Sequence, residues 1–337
     1  MGRAERLNIL HEIEQERECR VLTFITGDRR GLEARIAPDS FPFCLNHLML
    51  MGHQEQIDLY LYSTGGITMA GFALVNLVRE FCDVFNVIIP FKAHSCATLI
   101  ALGADNIYMT RMGQLSPIDP SVTHSLGPHT SIPGQQAKLV PVNVEDVSSY
   151  FDLAQKELGL IDNESLVKVF ERLSRNVHPL TLGAINRSRE QISFLAKKLL
   201  SYHTKDQAEI DKIVETLIRG RFSHDYLIGH KEAKEVLGLK IRDMSDTLSR
   251  RVMELYQEYD KLLQLSVPYN PEIVLGDKEI ATGVFNQAII ESGNLTHVFR
   301  TVKEVKRVSL EPPMVPSPTV GCQERIISVN WLEDNTV

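Results

Sequence analysis

The chain lacks any CxxC pair, any cluster of Lys and Arg, and any uninterrupted apolar run near the about 18 residues a membrane span needs. Each absence removes a class of function. The five cysteines, Cys19, Cys44, Cys82, Cys96 and Cys322, are odd in number and widely spaced. That spacing suits neither a disulfide framework nor a zinc site, and it fits reduced thiols in a cytoplasmic protein. The N-terminal MGRAERLNILHEIEQERECR is charged and amphipathic, without the apolar core of a signal peptide. A net charge of -7 and a pI of about 5.9, with no basic stripe, argue against nucleic acid as the main partner. Neither GxGxxG nor a P-loop signature occurs, so no dinucleotide or nucleotide site is expected, nor any other cofactor. The GxSxG elbow of the α/β-hydrolases is also missing.

What is present is a globular composition. Of 337 residues, 43% are hydrophobic and 23% charged, enough to bury a large core. Residues 4–19 read as an amphipathic helix, followed by a strand at 21–26 (VLTFIT). A helix is expected over 39–52, a buried strand over 57–62 (IDLYLY), and a turn at Ser63-Thr64-Gly65-Gly66. A helix over 69–81, a strand over 85–90, a helix over 96–102 and a strand over 107–110 come next, then a polar loop from Gly113 to Gly134. Strand, turn and helix in repeating order mean crossover connections, hence an α/β fold with a mainly parallel sheet. The second half is helical in pattern, over 143–176, 184–203, 205–220, 225–237 and 243–265. The last 70 or so residues, Pro-rich around EPPMVPSPTVG, read as short strands and loops. The expected organisation is an N-terminal helix (1–20), an α/β core (21–140), a helical part completing it (141–265) and a C-terminal extension of unassigned role (266–337).

Two features carry chemistry. Gly65 and Gly66 follow a strand and precede a helix, where glycine permits a sharp turn and the first N–H groups of the helix lack partners. Ser95, in Lys92-Ala-His-Ser-Cys-Ala-Thr98, sits at the next strand–helix junction, at the carboxyl edge of the sheet where ligands gather in such folds. Taken singly, the glycines are a tight turn and the serine a helix N-cap. Taken together, they match the needs of a peptide-bond hydrolase. Such an enzyme requires a hydroxyl nucleophile and two N–H donors for the oxyanion, here from Gly66 and Cys96.

The segments YSTGGIT and HSCATLIALGADNIYMTRMGQLSPIDP resemble the Clp-fold serine peptidases, which include signal peptide peptidase A and the Clp proteolytic subunit. The best match is the serine dehydrogenase proteinase (SDH) branch, with further echoes in VPVNVEDV, NVHPLTLGAINRSREQI and FSHDYLIGHKEAKEVLGL, so that the likeness spans Val21–Leu239. The resemblance implies a Clp/crotonase-like fold, a serine peptidase acting on peptides or unfolded chains, and assembly into homo-oligomers. It also implies a general base downstream of the nucleophile. Lys138 fits the lysine of the signal peptide peptidase branch, and His124 the histidine of the Clp subunit branch. His129 competes with His124, and Asp119 is an orienting acid or, more plainly, a turn cap before Pro120. His94, His178 and His224 have structural roles as their simpler explanation, and the Cys96 thiol is expected to pack inward. Two alternatives stay open: a catalytically silent Clp-fold scaffold, and a crotonase-type acyl-thioester enzyme, which lacks its usual acidic base here.

Overall fold

The structure is a computed structural model that describes residues 2–118, 121–130, 137–219, 226–293, 295–310 and 319–337. The chain forms two compact units, one from Met1–Leu115 with Ile228–Val337 and the other Ser116–Leu227.

In chain order the first unit begins with α1 (Arg3–Arg17), β1 (Arg20–Thr26), α2 (Phe41–Met51), β2 (Gln54–Tyr62), α3 (Thr68–Arg79) and β3 (Cys82–Ile89). A two-residue strand β4 (Lys92–Ala93), then α4 (Cys96–Leu102), β5 (Asn106–Met109) and β6 (Gln114–Leu115) follow. The second unit holds the short strands β7 (Ser121–Val122), β8 (His129–Thr130), β9 (Lys138–Leu139) and β10 (Val142–Asn143). Its helices are α5 (Val144–Asp152), α6 (Asn163–Ser174), α7 (Pro179–Leu200) and α8 (Gln207–Arg219), with a π-helical turn at Leu153–Glu157. The chain then returns to the first unit with β11 (Ile228–Gly229), α9 (His230–Glu235), β12 (Ile241–Arg242), α10 (Asp246–Leu263), α11 (Pro271–Leu275), β13 (Ile280–Ser292), β14 (Leu295–Leu310) and β15 (Thr319–Glu333).

The main sheet has eight strands in the order β12-β5-β3-β2-β1-β13-β14-β15. From β1 to β12 the pairing is parallel; β13, β14 and β15 join antiparallel. The parallel strands advance in one direction, and right-handed crossovers then set their connecting helices on a single face. The other face must be covered from outside the repeat. It is covered by α1 and α10, whose Leu10, Ile13, Leu248, Val252, Leu255 and Tyr259 share a core with Tyr60, Tyr62 and Ile88. Alternate residues of β2, Leu59 and Leu61, are equally buried, as a strand covered on both faces requires.

Polar anchors tie this cover to the sheet. Tyr60 donates through its hydroxyl to the Val252 carbonyl at 2.8 Å. Asp58, fully buried in β2, accepts from Arg17 Nε at 2.7 Å and from Asn86 of β3 at 2.9 Å. A buried carboxylate with those partners is satisfied; without them it would cost several kcal/mol, roughly 3–5.

The sequence expectation fails for the last 70 residues. They form three long strands of 13, 16 and 15 residues, in place of short strands and loops. In β15, residues 323–330 are all exposed, so no apolar–polar alternation was imposed there for the eye to find.

Candidate active site

The site is built at the carboxyl ends of β2 and β3. The Ser63 N–H donates to the Lys92 carbonyl (2.9 Å) and the His94 N–H to the Ser63 carbonyl (3.0 Å), so Ser63 and Ala93 form a parallel bridge. On its other side β4 pairs with β6. The turn after β2 and the turn after β4 therefore lie side by side.

Ser95 has φ 52° and ψ −114°. Among the described residues two other non-glycine residues have positive φ, Glu18 and Gln264, and both are ordinary left-handed caps at helix ends. The ψ of Ser95 puts it outside that well, in a region that costs about 1–3 kcal/mol and persists only where the surroundings impose it. They do so here. Every residue of α4 is buried. The His94 carbonyl accepts from the Ala97 N–H (2.9 Å), the Ser95 carbonyl from the Leu99 N–H (3.0 Å), and the Ala93 carbonyl from Thr98 Oγ1 (2.7 Å). The Ser95 hydroxyl does not cap α4, so the plain helix-cap explanation of this serine is set aside.

The glycine turn meets Ser95 directly. A Cβ on Gly65, which has φ +123°, would lie 3.0 Å from Ser95 Cβ and 3.4 Å from its Oγ. The Gly65 N–H is taken by Ser63 Oγ (3.0 Å), itself 2.6 Å from Thr26 Oγ1. Gly66 is glycine for a different reason: its Cβ would fall 2.1 Å from the Ile36 carbonyl oxygen. Ile36 donates to the Gly65 carbonyl (3.0 Å) and accepts from the Ile67 N–H (2.8 Å). In a trans peptide the N–H points opposite to the C=O, so the Gly66 N–H is directed away from Ile36. Cys96 is the first residue of α4, where N–H groups have no partner within the helix. Its thiol turns inward, donating to the Ile67 carbonyl at 3.3 Å in the space left by Gly71. Burial pushes that thiol up to about 12, which removes it as a nucleophile near neutral pH.

Ser95, Gly65, Gly66 and Cys96 are thus brought together in the first unit. Lys138 and His124 belong to the second. Lys138 is exposed on β9, and its N–H donates to Thr130 Oγ1 at 3.3 Å. His124 is half-buried; its Nδ1 accepts from the Leu126 N–H at 3.2 Å and lies 3.3 Å from Thr181 Oγ1. His129 is exposed on β8. His178 caps α7, with Nδ1 accepting from the Leu180 N–H at 3.1 Å. Asp119 and His224 lie outside the described residues.

Sequence reasoning passed over three supports of the site: Ser63, Ile36 and the ion pair of Lys92 with Asp28. Lys92 Nζ lies 2.6 Å from Asp28 Oδ2, and Tyr62 donates its hydroxyl to Asp28 Oδ1 at 2.8 Å. The tips of β1, β2 and β4 are joined by this carboxylate. A lysine three residues before the serine was the available signal, but its partner is distant in sequence.

Residues 2–163 match the model of the ClpP-like SDH-type serine proteinases. The fold and the strained serine beside a glycine turn agree with that match, which covers 162 of the 337 residues. It is 28% identical over 259 residues to the uncharacterized protein MJ0137 of Methanocaldococcus jannaschii, covering 75% of this chain and 79% of that one. A second uncharacterized protein of the same organism, MJ1495, is 24% identical over 279 residues, covering 79% and 82%. Among solved structures, an alanine-substituted mutant of the 1510-N membrane-bound stomatin-specific protease is similar over 63% of this chain and 76% of its own, at 14% identity and a TM-score of 0.36. Among the described residues no helix is long and apolar enough to cross a membrane.

Proposed function

We propose that the protein is an ATP-independent serine endopeptidase that cleaves peptides or unfolded chains through an acyl-enzyme on Ser95. The observation that carries this reading is the strained Ser95 turn held against Gly65. In the proposed reaction, Ser95 Oγ attacks the scissile carbonyl and loses its proton to a base. The Gly66 and Cys96 N–H groups receive the oxyanion. The C–N bond breaks as the amine takes that proton, and water then releases the acyl group from Ser95 by the same steps.

Lys138 is the base we favour. A neutral imidazole carries one N–H, and His124 Nδ1 already accepts from the Leu126 N–H, which leaves the proton on Nε2 and no free lone pair. Lys138 must shed its solvent to serve, because only burial or nearby positive charge lowers a lysine far enough. Docking of the substrate or assembly of several copies supplies that burial in this reading. Five unpaired thiols support a cytoplasmic setting.

A fluorophosphonate probe on the wild type and on Ser95→Ala tests the proposal, together with hydrolysis of an unfolded protein. Labelling and hydrolysis are expected in the wild type and lost in Ser95→Ala. Labelling that survives the substitution removes Ser95 as the nucleophile. A wild type that neither labels nor hydrolyses supports the silent scaffold instead.

A further inference from the structure

α6 is a 12-residue helix, about 18 Å long. Asp162 caps it, its Oδ1 accepting from the Ser165 N–H at 2.8 Å. None of its residues is buried. A helix this short is marginal alone in water, and proteins normally stabilise one by packing an apolar face. Leu166, Val169 and Leu173 lie on one face and are half-buried, while the Phe170 ring approaches that of Phe151 at 6.4 Å. The opposite face carries Glu164, Val167, Lys168, Glu171 and Arg175, which fall on one stripe at about 100° per residue. Val167 and Phe170 are 54% and 48% exposed.

The stripe reads as its own complement in reverse. About the midpoint between Val169 and Phe170 the four charges of the stripe pair off, Glu164 mirroring Arg175 and Lys168 mirroring Glu171, while Val167 mirrors Arg172 and stands outside the symmetry. We propose that α6 is a self-docking surface, packing antiparallel against α6 of a second copy across a two-fold axis. At equal heights along such a pair, each Glu164 faces the other copy's Arg175, and each Lys168 its Glu171. A parallel pair would set like charges together. An isologous dimer needs this kind of self-complementary patch, which is why a second copy fits better than a foreign partner. The two-fold axis also brings like flanks together, so Val167 of both copies lies along the same side of the pair. The Glu164–Lys168 pair within the helix, 2.6 Å and exposed at both ends, is weakly held and free to share its charges across the axis.

This deepens the reading of a self-assembling peptidase by naming a surface, and it does not depend on Ser95. A pair of 12-residue helices is small beside an ordinary stable interface, so association is expected to be weak and concentration-dependent. Sedimentation equilibrium on the full chain, from about 1 to 500 µM and at low and high salt, should show reversible dimerisation or even-numbered assembly. Glu164→Arg and Arg175→Glu should each weaken association at least tenfold, and the double variant should recover to within about threefold of wild type. Both changes oppose the helix dipole, and the double opposes it most. Recovery in the double therefore cannot come from helix stability.

Three results overturn the proposal: single reversals with unchanged association, a double variant that does not recover, or a chain monomeric throughout the range. Assembly that persists undiminished in the reversed variants assigns self-association to another face. The peptidase reading is judged separately, by Ser95→Ala.

Discussion

The Gly65 Cα and the Ser95 side chain pack so closely that a single added methyl on Gly65 would sit 3.0 Å from Ser95 Cβ. Two turns from separate strands meet there, and the contact sets how far the glycine turn stands from the hydroxyl. Gly65→Ala meets two obstacles at once, that contact and a φ of +123°. We expect the substitution to leave the circular dichroism spectrum intact while peptide hydrolysis falls about 100-fold, the scale on which loss of one oxyanion donor acts. Activity within threefold of wild type would show that the turn is not matched to the serine.

Gly66→Ala acts on the fold first. Its Cβ would fall 2.1 Å from the Ile36 carbonyl oxygen, and backbone cannot swing aside as a side chain can. The segment around Ile36 must detach from the turn, at a cost of roughly 3 kcal/mol or more. Urea titration should show a lowered midpoint, in contrast to Gly65→Ala, whose main loss is in rate.

Cys96→Ser separates the thiol from the amide. The thiol is buried and its pKa raised to about 12, while the N–H comes from the backbone and survives the substitution. Hydrolysis is expected to stay within about threefold of wild type, and fluorophosphonate labelling to be unaffected by prior iodoacetamide. An inactive Cys96→Ser with an intact fold would transfer the chemistry from Ser95 to the thiol.

Acid should loosen a different part of the first unit. His47 of α2 and His297 of β14 are both buried; their Nε2 and Nδ1 atoms lie 3.0 Å apart, and His47 Nδ1 is 2.6 Å from Ser292 Oγ. Burial, and then the neighbouring His297, hold His47 down to about 3, and burial lowers His297 as well, against a raising effect of Glu333. An unfolded histidine titrates near 6.5, so below that pH the unfolded chain binds protons the folded pair refuses. The stability this pair contributes is complete above pH 6.5 and is lost as pH falls toward 3. Thermal melts should drop steadily over that window, and His47→Asn should flatten the slope while lowering the melting temperature at pH 7.5.

Much of the first unit was legible because its residues obey one period each. IDLYLY and FNVIIP are buried on both faces and flanked by turns, and CATLIAL is short, apolar and wholly interior. The pairing of Ser95 with the glycines was legible for the same reason, since adjacent parallel strands must end at one edge. The backbone strain of Ser95 was not, because φ is imposed by α4 and β4 and not by the serine. Nor was the insertion of Ile36 beside Gly66, a contact that no local pattern announces. Lys138 and His124 were singled out by their distance along the chain from Ser95. That distance does not encode position, and the two lie in the second unit on short strands and loops that carry little periodicity of their own.

The last consequence concerns synthesis. β1 lies between β2 and β13, and β13 ends at Ser292. The Ser95 turn and its glycines are all present once Cys96 has left the ribosome, yet β1 then has a bare flank of N–H and C=O groups until some 190 further residues arrive, a wait of about 10–40 s at about 5–20 residues per second. A bare strand edge invites pairing with other chains. A chain released before its own C-terminal hairpin is made would carry that bare edge into solution, where it can seed aggregation.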